Sequence, residues 1–277
     1  MSLLFPLPIN MLQLQEFESQ YFADSPTDLG YLHAHFSRFL ETKRIFDVTT
    51  DPARPKRVLD IGAHWLHQSL LWRHGGHSVV AADLPATLAL PHVQALADRN
   101  DVSLVVYDRL DTGDALTSVP DSSVDVVLFC EILEHITFNP MPLWSEVYRV
   151  LAPKGRIVVT TPNYYWIRGR AWDANRLTGR LGGGLPVSEI LHVPTYGPHW
   201  KEYSMREVIE YFKTISPDFS IAKAEYVPDP RVGDRPRKLS DKIIGYVESV
   251  HRIFYWGLHV EIELTSKQFG IAVTPHW

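Results

Sequence analysis

Between Arg57 and Pro162, short runs rich in β-branched residues recur: RVLDIG, HSVVAAD, SLVVYD, SVDVVLFCE and GRIVVTTP, with helix-like segments between them. Strands alternating with helices predict a parallel sheet covered on both faces, because right-handed crossovers lay their helices against the sheet. Before the fifth run, MPLWSEVYRVL sets Leu143, Val147, Val150 and Leu151 on one helical face and is stopped by Pro153 and Gly155. The fold class expected from this pattern is α/β, a doubly wound and mostly parallel sheet.

The flanks add to that frame. Leu32, Phe36, Phe39 and Leu40 follow amphipathic helical spacing, so residues 1–56 read as a helical cap packed over one edge of the sheet. After Pro162 comes an arginine- and glycine-containing stretch, then a helix starting at a capping box of Ser204 and Glu207, with Met205, Val208, Ile209 and Phe212 on one face. A strand near FSIAKAEYV, a Pro- and Arg-rich connection, a helix near 241–256 and a final strand near FGIAV bring the expected sheet to seven strands. The expected organisation is thus a cap at 1–56 and one domain at 57–277, carrying substrate-side segments at 163–200 and 229–268.

Composition excludes several classes. The chain has 277 residues, 45% hydrophobic and 21% charged, an ordinary globular balance. No apolar run approaches the roughly 18 residues of a membrane span, and MSLLFPLPINML lacks the basic start and cleavage site of a signal peptide, so a cytoplasmic protein is expected. A net charge of −5 disfavours general nucleic-acid binding. Cys130 is the sole cysteine, which rules out an intramolecular disulfide. His64, His67, His74 and His77 form two H-x-x-H pairs, but the first flanks a strand-to-helix turn and the second straddles Gly75 and Gly76, a poor arrangement for zinc.

In open α/β sheets ligands bind outside the carboxyl ends of the strands. Here the first four runs end in acids, Asp60, Asp83, Asp108 and Glu131. A carboxylate after the second strand matches the two adjacent hydroxyls of a ribose, which assigns Asp83 to a nucleoside.

These motifs together resemble the class I S-adenosylmethionine-dependent methyltransferases of the type 11 and type 23 kind. VLDIG is similar to their first motif and AADLP to their second; SVDVVLFCEILEHI and LWSEVYRVLAPKGRIVVTTPN are similar to their fourth strand, helix and fifth strand. Asp60 and Asp83 lie 23 residues apart, the family's usual spacing, and HWKEYSMREVIEYF resembles a recurring later segment. The resemblance implies a Rossmann-like fold, S-adenosylmethionine as cofactor with S-adenosylhomocysteine as product, and a methyltransferase. It implies that Asp60 and Gly62 line the methionyl part, Asp83 holds the ribose, Asp108 or Asp114 meets adenine and Glu131 faces the sulfonium, with Ala63, His64 and Leu84 also binding the cofactor. One departure stands out: the D-x-G-x-G-x-G loop reads Asp60-Ile61-Gly62-Ala63-His64-Trp65-Leu66, with His64 and Leu66 where glycines usually stand.

Methyl transfer is an in-line displacement in which the protein mainly aligns the reactants, and a base is needed when the acceptor is a hydroxyl. His135 and His199 are the candidate bases and Tyr203 the candidate orienting residue, each with a purely structural alternative. Arg168, Arg170, Arg176 and Arg180, and then Arg231, Arg235, Arg237 and Lys238, suit an anionic small-molecule or glycan acceptor. Tyr164, Tyr165, Trp166, Trp172 and Trp200 suit ring stacking or core packing. Ile243, Val247, Val250 and Phe254 form an apolar face that suits a membrane surface or a lipid tail, but with few basic residues within the helix, core packing or a homodimer contact is expected.

This reading assigns no metal. A competing one does: E-x-x-E-H at Glu131, Glu134 and His135, with His199 or His192, resembles the metal site of RNA 3′-terminal 2′-O-methyltransferases. A third reading is a binding module in which the altered loop no longer holds cofactor.

Overall fold

The computed structural model describes residues 9–24, 26–51, 54–172, 191, 197–229, 245–248 and 250–271. The chain opens with two helices, α1 (Ile9–Phe22) and α2 (Leu29–Thr49). Asp28 caps α2 by accepting from the Tyr31 N–H at 2.8 Å. There follow β1 (Arg57–Ile61), α3 (His67–His74), β2 (Ser78–Asp83), the short α4 (Pro85–Leu88), α5 (Pro91–Arg99), β3 (Val102–Val106), β4 (Val124–Cys130), α6 (Met141–Val150) and β5 (Leu151–Pro162). The last elements are α7 (Met205–Ile215), β6 (Phe219–Val227) and β7 (Gly257–Leu264). The expected capping box of Ser204 and Glu207 opens α7.

All seven strands form one sheet in the order β3-β2-β1-β4-β5-β7-β6. The first five run parallel, and β7 inserts antiparallel between β5 and β6. Strand order reverses at β1 and β4, so the carboxyl ends of those two neighbours border the crevice where this architecture places ligands.

Residues alternate between the two faces, as strand geometry requires. Val58, Val79, Val126 and Val158 face a layer made with Phe36, Phe46, Leu70 and Trp72. Leu59, Val127, Ile157 and Val260 face the other, made with Trp144, Val147, Val208 and Phe212. Helix α2 therefore covers a face of the sheet and not the edge expected from sequence: Leu32, Phe36 and Phe39 are buried and Leu40 is half-buried. Its C-terminal end reaches β7, where Thr49 Oγ1 donates to Glu261 Oε2 at 2.9 Å.

Three further expectations change. The last strand is GLHVEIEL, inside the span read as a connection, whereas Phe269 to Ile271 form no strand and the rest of FGIAV lies outside the described residues. The helix near 241–256 is shorter: residues 245–248 and 250 are helical, Arg252–Phe254 form one 3-10 turn, and Val250 is exposed. Ile243 lies outside the described residues, as do Arg176, Arg180, His192, Arg231, Arg235, Arg237 and Lys238. Leu151 opens β5 instead of ending α6. Among the described residues, no helix is long and apolar enough to cross a membrane.

Candidate functional site

The site begins where β1 ends. Asp60 is buried and accepts from Ser69 Oγ at 2.6 Å. Burial pushes its carboxyl up to about 7; the Ser69 hydrogen bond opposes that rise and the Asp83 charge adds to it. Gly62 has φ +76, and a Cβ there would lie 2.6 Å from Ile132 Cδ1, so backbone and space both require glycine.

The loop keeps a left-handed path without its later glycines: His64 has φ 49 and Leu66 φ 66. Each such residue costs about 1–2 kcal/mol in L-amino acids. Burial of Leu66 and a hydrogen bond from the His64 N–H to Asp83 Oδ2, at 2.6 Å, hold the loop in place. Asp83 Oδ1 accepts from the Leu84 N–H at 2.6 Å, so one carboxylate ties the loop after β1 to the end of β2. Burial raises its pKa in spite of these two bonds. Leu84 is partly buried against the adjoining core.

At the end of β4, Glu131 also takes a left-handed backbone, φ 57, and donates its N–H to the Thr160 carbonyl at 2.8 Å. Its Oε2 lies 3.3 Å from Arg38 Nη1 of α2, and both side chains are largely buried. Sequence reasoning missed Arg38, although a charge beside the Phe36 and Phe39 stripe is its visible signal. Asp108 and Asp114 are both exposed on the loop after β3; Asp114 accepts from the Thr112 hydroxyl.

Two neighbouring cavities share Tyr31 and Arg38 in their walls. The smaller, about 20 Å³, touches Asp60, Gly62, Ala63 and His64. The larger, about 490 Å³, touches Glu131, His135, Trp166, Arg168, Arg170 and His199. His135 Nδ1 donates to the Pro198 carbonyl at 3.0 Å, and its ring meets that of His199 edge to face at 4.9 Å. Burial, then His199, holds the His135 pKa below the ordinary imidazole value. Glu134 is fully buried, accepts from Thr161 Oγ1 at 2.9 Å, and is held well above the usual carboxylate range by burial and then by Glu131.

Tyr203 stands apart from this group. It is buried in the core, bridges Asn163 through the backbone, and is not in the wall of either cavity. Trp166 borders the larger cavity; Tyr164, Tyr165 and Trp172 are exposed.

Residues 59–159 match the family model of the type 11 methyltransferase domain. A Mycolicibacterium smegmatis protein described as a probable S-adenosylmethionine-dependent methyltransferase is 28% identical over 162 residues, covering 54% of this chain and 55% of that one. The match thus spans about half the length of that relative. Two solved structures share the fold. The Haloferax volcanii methyltransferase in complex with the Trm112 methyltransferase activator has a TM-score of 0.58 at 18% identity, over 91% of this chain and 98% of that one. The Burkholderia thailandensis 1,6-didemethyltoxoflavin-N1-methyltransferase, solved with 1,6-didemethyltoxoflavin and S-adenosylhomocysteine, has a TM-score of 0.54 at 18% identity, over 95% and 93%.

The residues present fit such a cofactor. Among the described residues, Arg38 Nε, His64 Nδ1 and Glu131 Oε1 are buried beside the crevice without hydrogen-bond partners, as groups awaiting a zwitterionic ligand would be. Gly62 leaves room for close approach, and Asp83 anchors the loop beside it through the His64 and Leu84 N–H groups. Over residues 59–159 the strand order, the acids at the strand ends and the matched model thus resemble a type 11 methyltransferase domain, on a fold shared with S-adenosylmethionine-dependent methyltransferases.

Proposed function

We propose that the protein transfers the methyl group of S-adenosylmethionine to an oxygen of a small or glycan-type, anionic acceptor. The observation that carries this reading is the pair of adjoining cavities. One is bordered by Asp60, Gly62 and His64, the other by His135, His199, Arg168 and Arg170. When bound, S-adenosylmethionine supplies an electrophilic methyl on a sulfonium.

The chain's own residues supply the rest. Asp83 presents carboxylate oxygens where two ribose hydroxyls would sit, and Glu131 brings negative charge beside the site of the sulfonium. The imidazole of His135 is kept neutral by burial, with Nδ1–H committed to Pro198, so its Nε2 offers a lone pair toward an acceptor hydroxyl. Arg168 and Arg170 border the same cavity and suit a phosphate or carboxylate on the acceptor. The segments outside the sheet strands, 163–200 and 229–256, carry acceptor choice, with the helices of 1–56 closing the cofactor side. A cytoplasmic location and activity without general nucleic-acid binding belong to the same reading.

The first test is calorimetric titration with S-adenosylhomocysteine, followed by transfer of a labelled methyl group to sugar nucleotides and acidic phenols. Micromolar binding and label recovered as an alkali-stable ether support the proposal. Label recovered on nitrogen overturns the acceptor atom. The small volume beside Asp60 favours one competing reading, the binding module. It takes first place if no heat appears at millimolar ligand.

A further inference from the structure

We propose that Glu134, His135 and His199 form a binding site for one divalent first-row transition ion in the wall of the acceptor cavity. One ligand atom from each lies within 4.8 Å of the others. Two atoms bound to one ion at about 2.1 Å stand roughly 3 to 3.4 Å apart, so the widest pair need close by about 1.4 to 1.8 Å to bind it.

The hydrogen bonds around the cluster leave Nε2 of His135 and Oε1 of Glu134 uncommitted. Glu134 is 0% exposed; its Oε2 is taken by the Thr161 hydroxyl, but Oε1 has no hydrogen-bond partner among the described residues and lies 4.0 Å from His135 Nε2. A buried carboxylate oxygen left alone is costly unless something pairs with it. Because His135 Nδ1 donates to the Pro198 carbonyl, Nε2 carries the lone pair and cannot donate to Oε1. His199 Nδ1 lies 3.7 Å from Glu202 Oε1, near it but beyond hydrogen-bond range. The His199 carbonyl is fixed by Arg170 Nη1 at 2.6 Å.

Two of the three ligands thus have an outer hydrogen-bond partner, the pattern that holds metal-binding side chains in place: Thr161 serves Glu134 and the Pro198 carbonyl serves His135. The Glu134 carbonyl also accepts from the Trp200 N–H at 2.8 Å, which ties the loop carrying His199 to the segment carrying the other two ligands.

Two imidazoles and one carboxylate select manganese, iron, nickel or zinc over magnesium or calcium, which prefer all-oxygen shells. Glu131 stays outside the set, since its Oε2 faces Arg38. Three protein ligands leave coordination positions open, and His135 and His199 both border the acceptor cavity, so those positions face it. Resting on the proposed methyl transfer, an ion bound here would occupy the His135 Nε2 lone pair, so that the ion, in place of the free imidazole, would hold the acceptor oxygen and lower the pKa of its hydroxyl.

The test is ion binding by the full chain, stripped with chelator and titrated with Mn2+ by calorimetry and by loss of the free-ion EPR signal. We expect one equivalent bound by the wild type, and affinity at least 30-fold weaker in His199→Gln and in Glu134→Gln, with circular dichroism unchanged. His199→Gln, at a half-exposed position, keeps the test decisive if Glu134→Gln fails to fold. Asp83→Ala should retain the wild-type ion affinity while losing S-adenosylhomocysteine, which separates failure of this site from failure of the methyltransferase reading. No saturable binding by the wild type, or binding that His199→Gln leaves unchanged, overturns the site.

Discussion

The Arg38 guanidinium on α2 lies 3.3 Å from the Glu131 carboxylate at the end of β4, with side chains only 9% and 12% exposed. An N-terminal helix expected to cap an edge instead reaches into the crevice and pairs with a strand-end acid. Removing one partner of such a pair leaves a buried charge, which typically costs about 3–5 kcal/mol. Urea unfolding should show Arg38→Met and Glu131→Gln each destabilised by that order. The double variant should lose less than the sum, and additive losses would mean the two groups do not interact.

Asp83 has a structural task in addition to its proposed ribose role. Asp83→Ala should weaken S-adenosylhomocysteine binding tenfold or more, about 1.4 kcal/mol. It should also free the His64 and Leu84 N–H groups, which hydrogen exchange would register as faster exchange at those two amides. Unchanged exchange with weakened binding would leave Asp83 as a ligand contact alone.

Asp60 makes the empty protein sensitive to pH near neutrality. With the native carboxyl pushed up to about 7 and the unfolded one near 4, the native state binds more protons between those values. Stability therefore falls as pH rises from about 4 to about 7, with a slope of at most about 1.4 kcal/mol for each pH unit. A cationic ligand beside Asp60 would favour its ionised form, so S-adenosylmethionine should release a proton on binding near pH 7. Calorimetry in buffers of different ionisation enthalpy measures that proton. In Asp60→Asn both the stability slope and the released proton should disappear.

Asp218, outside the crevice, sets the acid limit. It accepts from Tyr148 Oη at 2.6 Å, from the Ser266 hydroxyl and from the Phe269 N–H at 2.8 Å. Burial alone would raise its carboxyl, but these bonds hold it well below the usual range. A depressed carboxyl contributes stability that is present above about pH 4 and lost as pH falls through its folded value. Asp218→Asn should lower the unfolding free energy at pH 7 by about 1–3 kcal/mol and flatten its acid limb, with cofactor affinity unchanged.

The parallel half of the sheet is readable from residue order, because strands buried on both faces are written as continuous β-branched runs. The seventh strand is not. GLHVEIEL alternates as a strand should, yet its second face holds His259 and Glu261, both fully buried. The neighbouring His259, its Nε2 3.3 Å from Glu261 Oε1, helps to pair that acid, but its burial also draws on Arg156 Nη1, 2.8 Å from Glu261 Oε2, and on Thr49. Arg156 and Thr49 are remote in sequence, so the segment looks like a polar connection.

The same division runs through the site. Asp60, Asp83 and Glu131 can be found from sequence because each ends a strand, and an acid at a strand's carboxyl end is a local fact. So is the loss of two glycines after Gly62, but whether His64 and Leu66 keep the left-handed path is settled by burial and by the Asp83 hydrogen bond. The convergence of Glu134 and His135 with His199, and the entry of Arg38 beside Glu131, depend on how loops and helices cross the finished sheet. Local periodicity and turn chemistry are carried by neighbours along the chain. Through-space pairs of charge and lone pair exist only once the tertiary fold has excluded water and brought distant residues together.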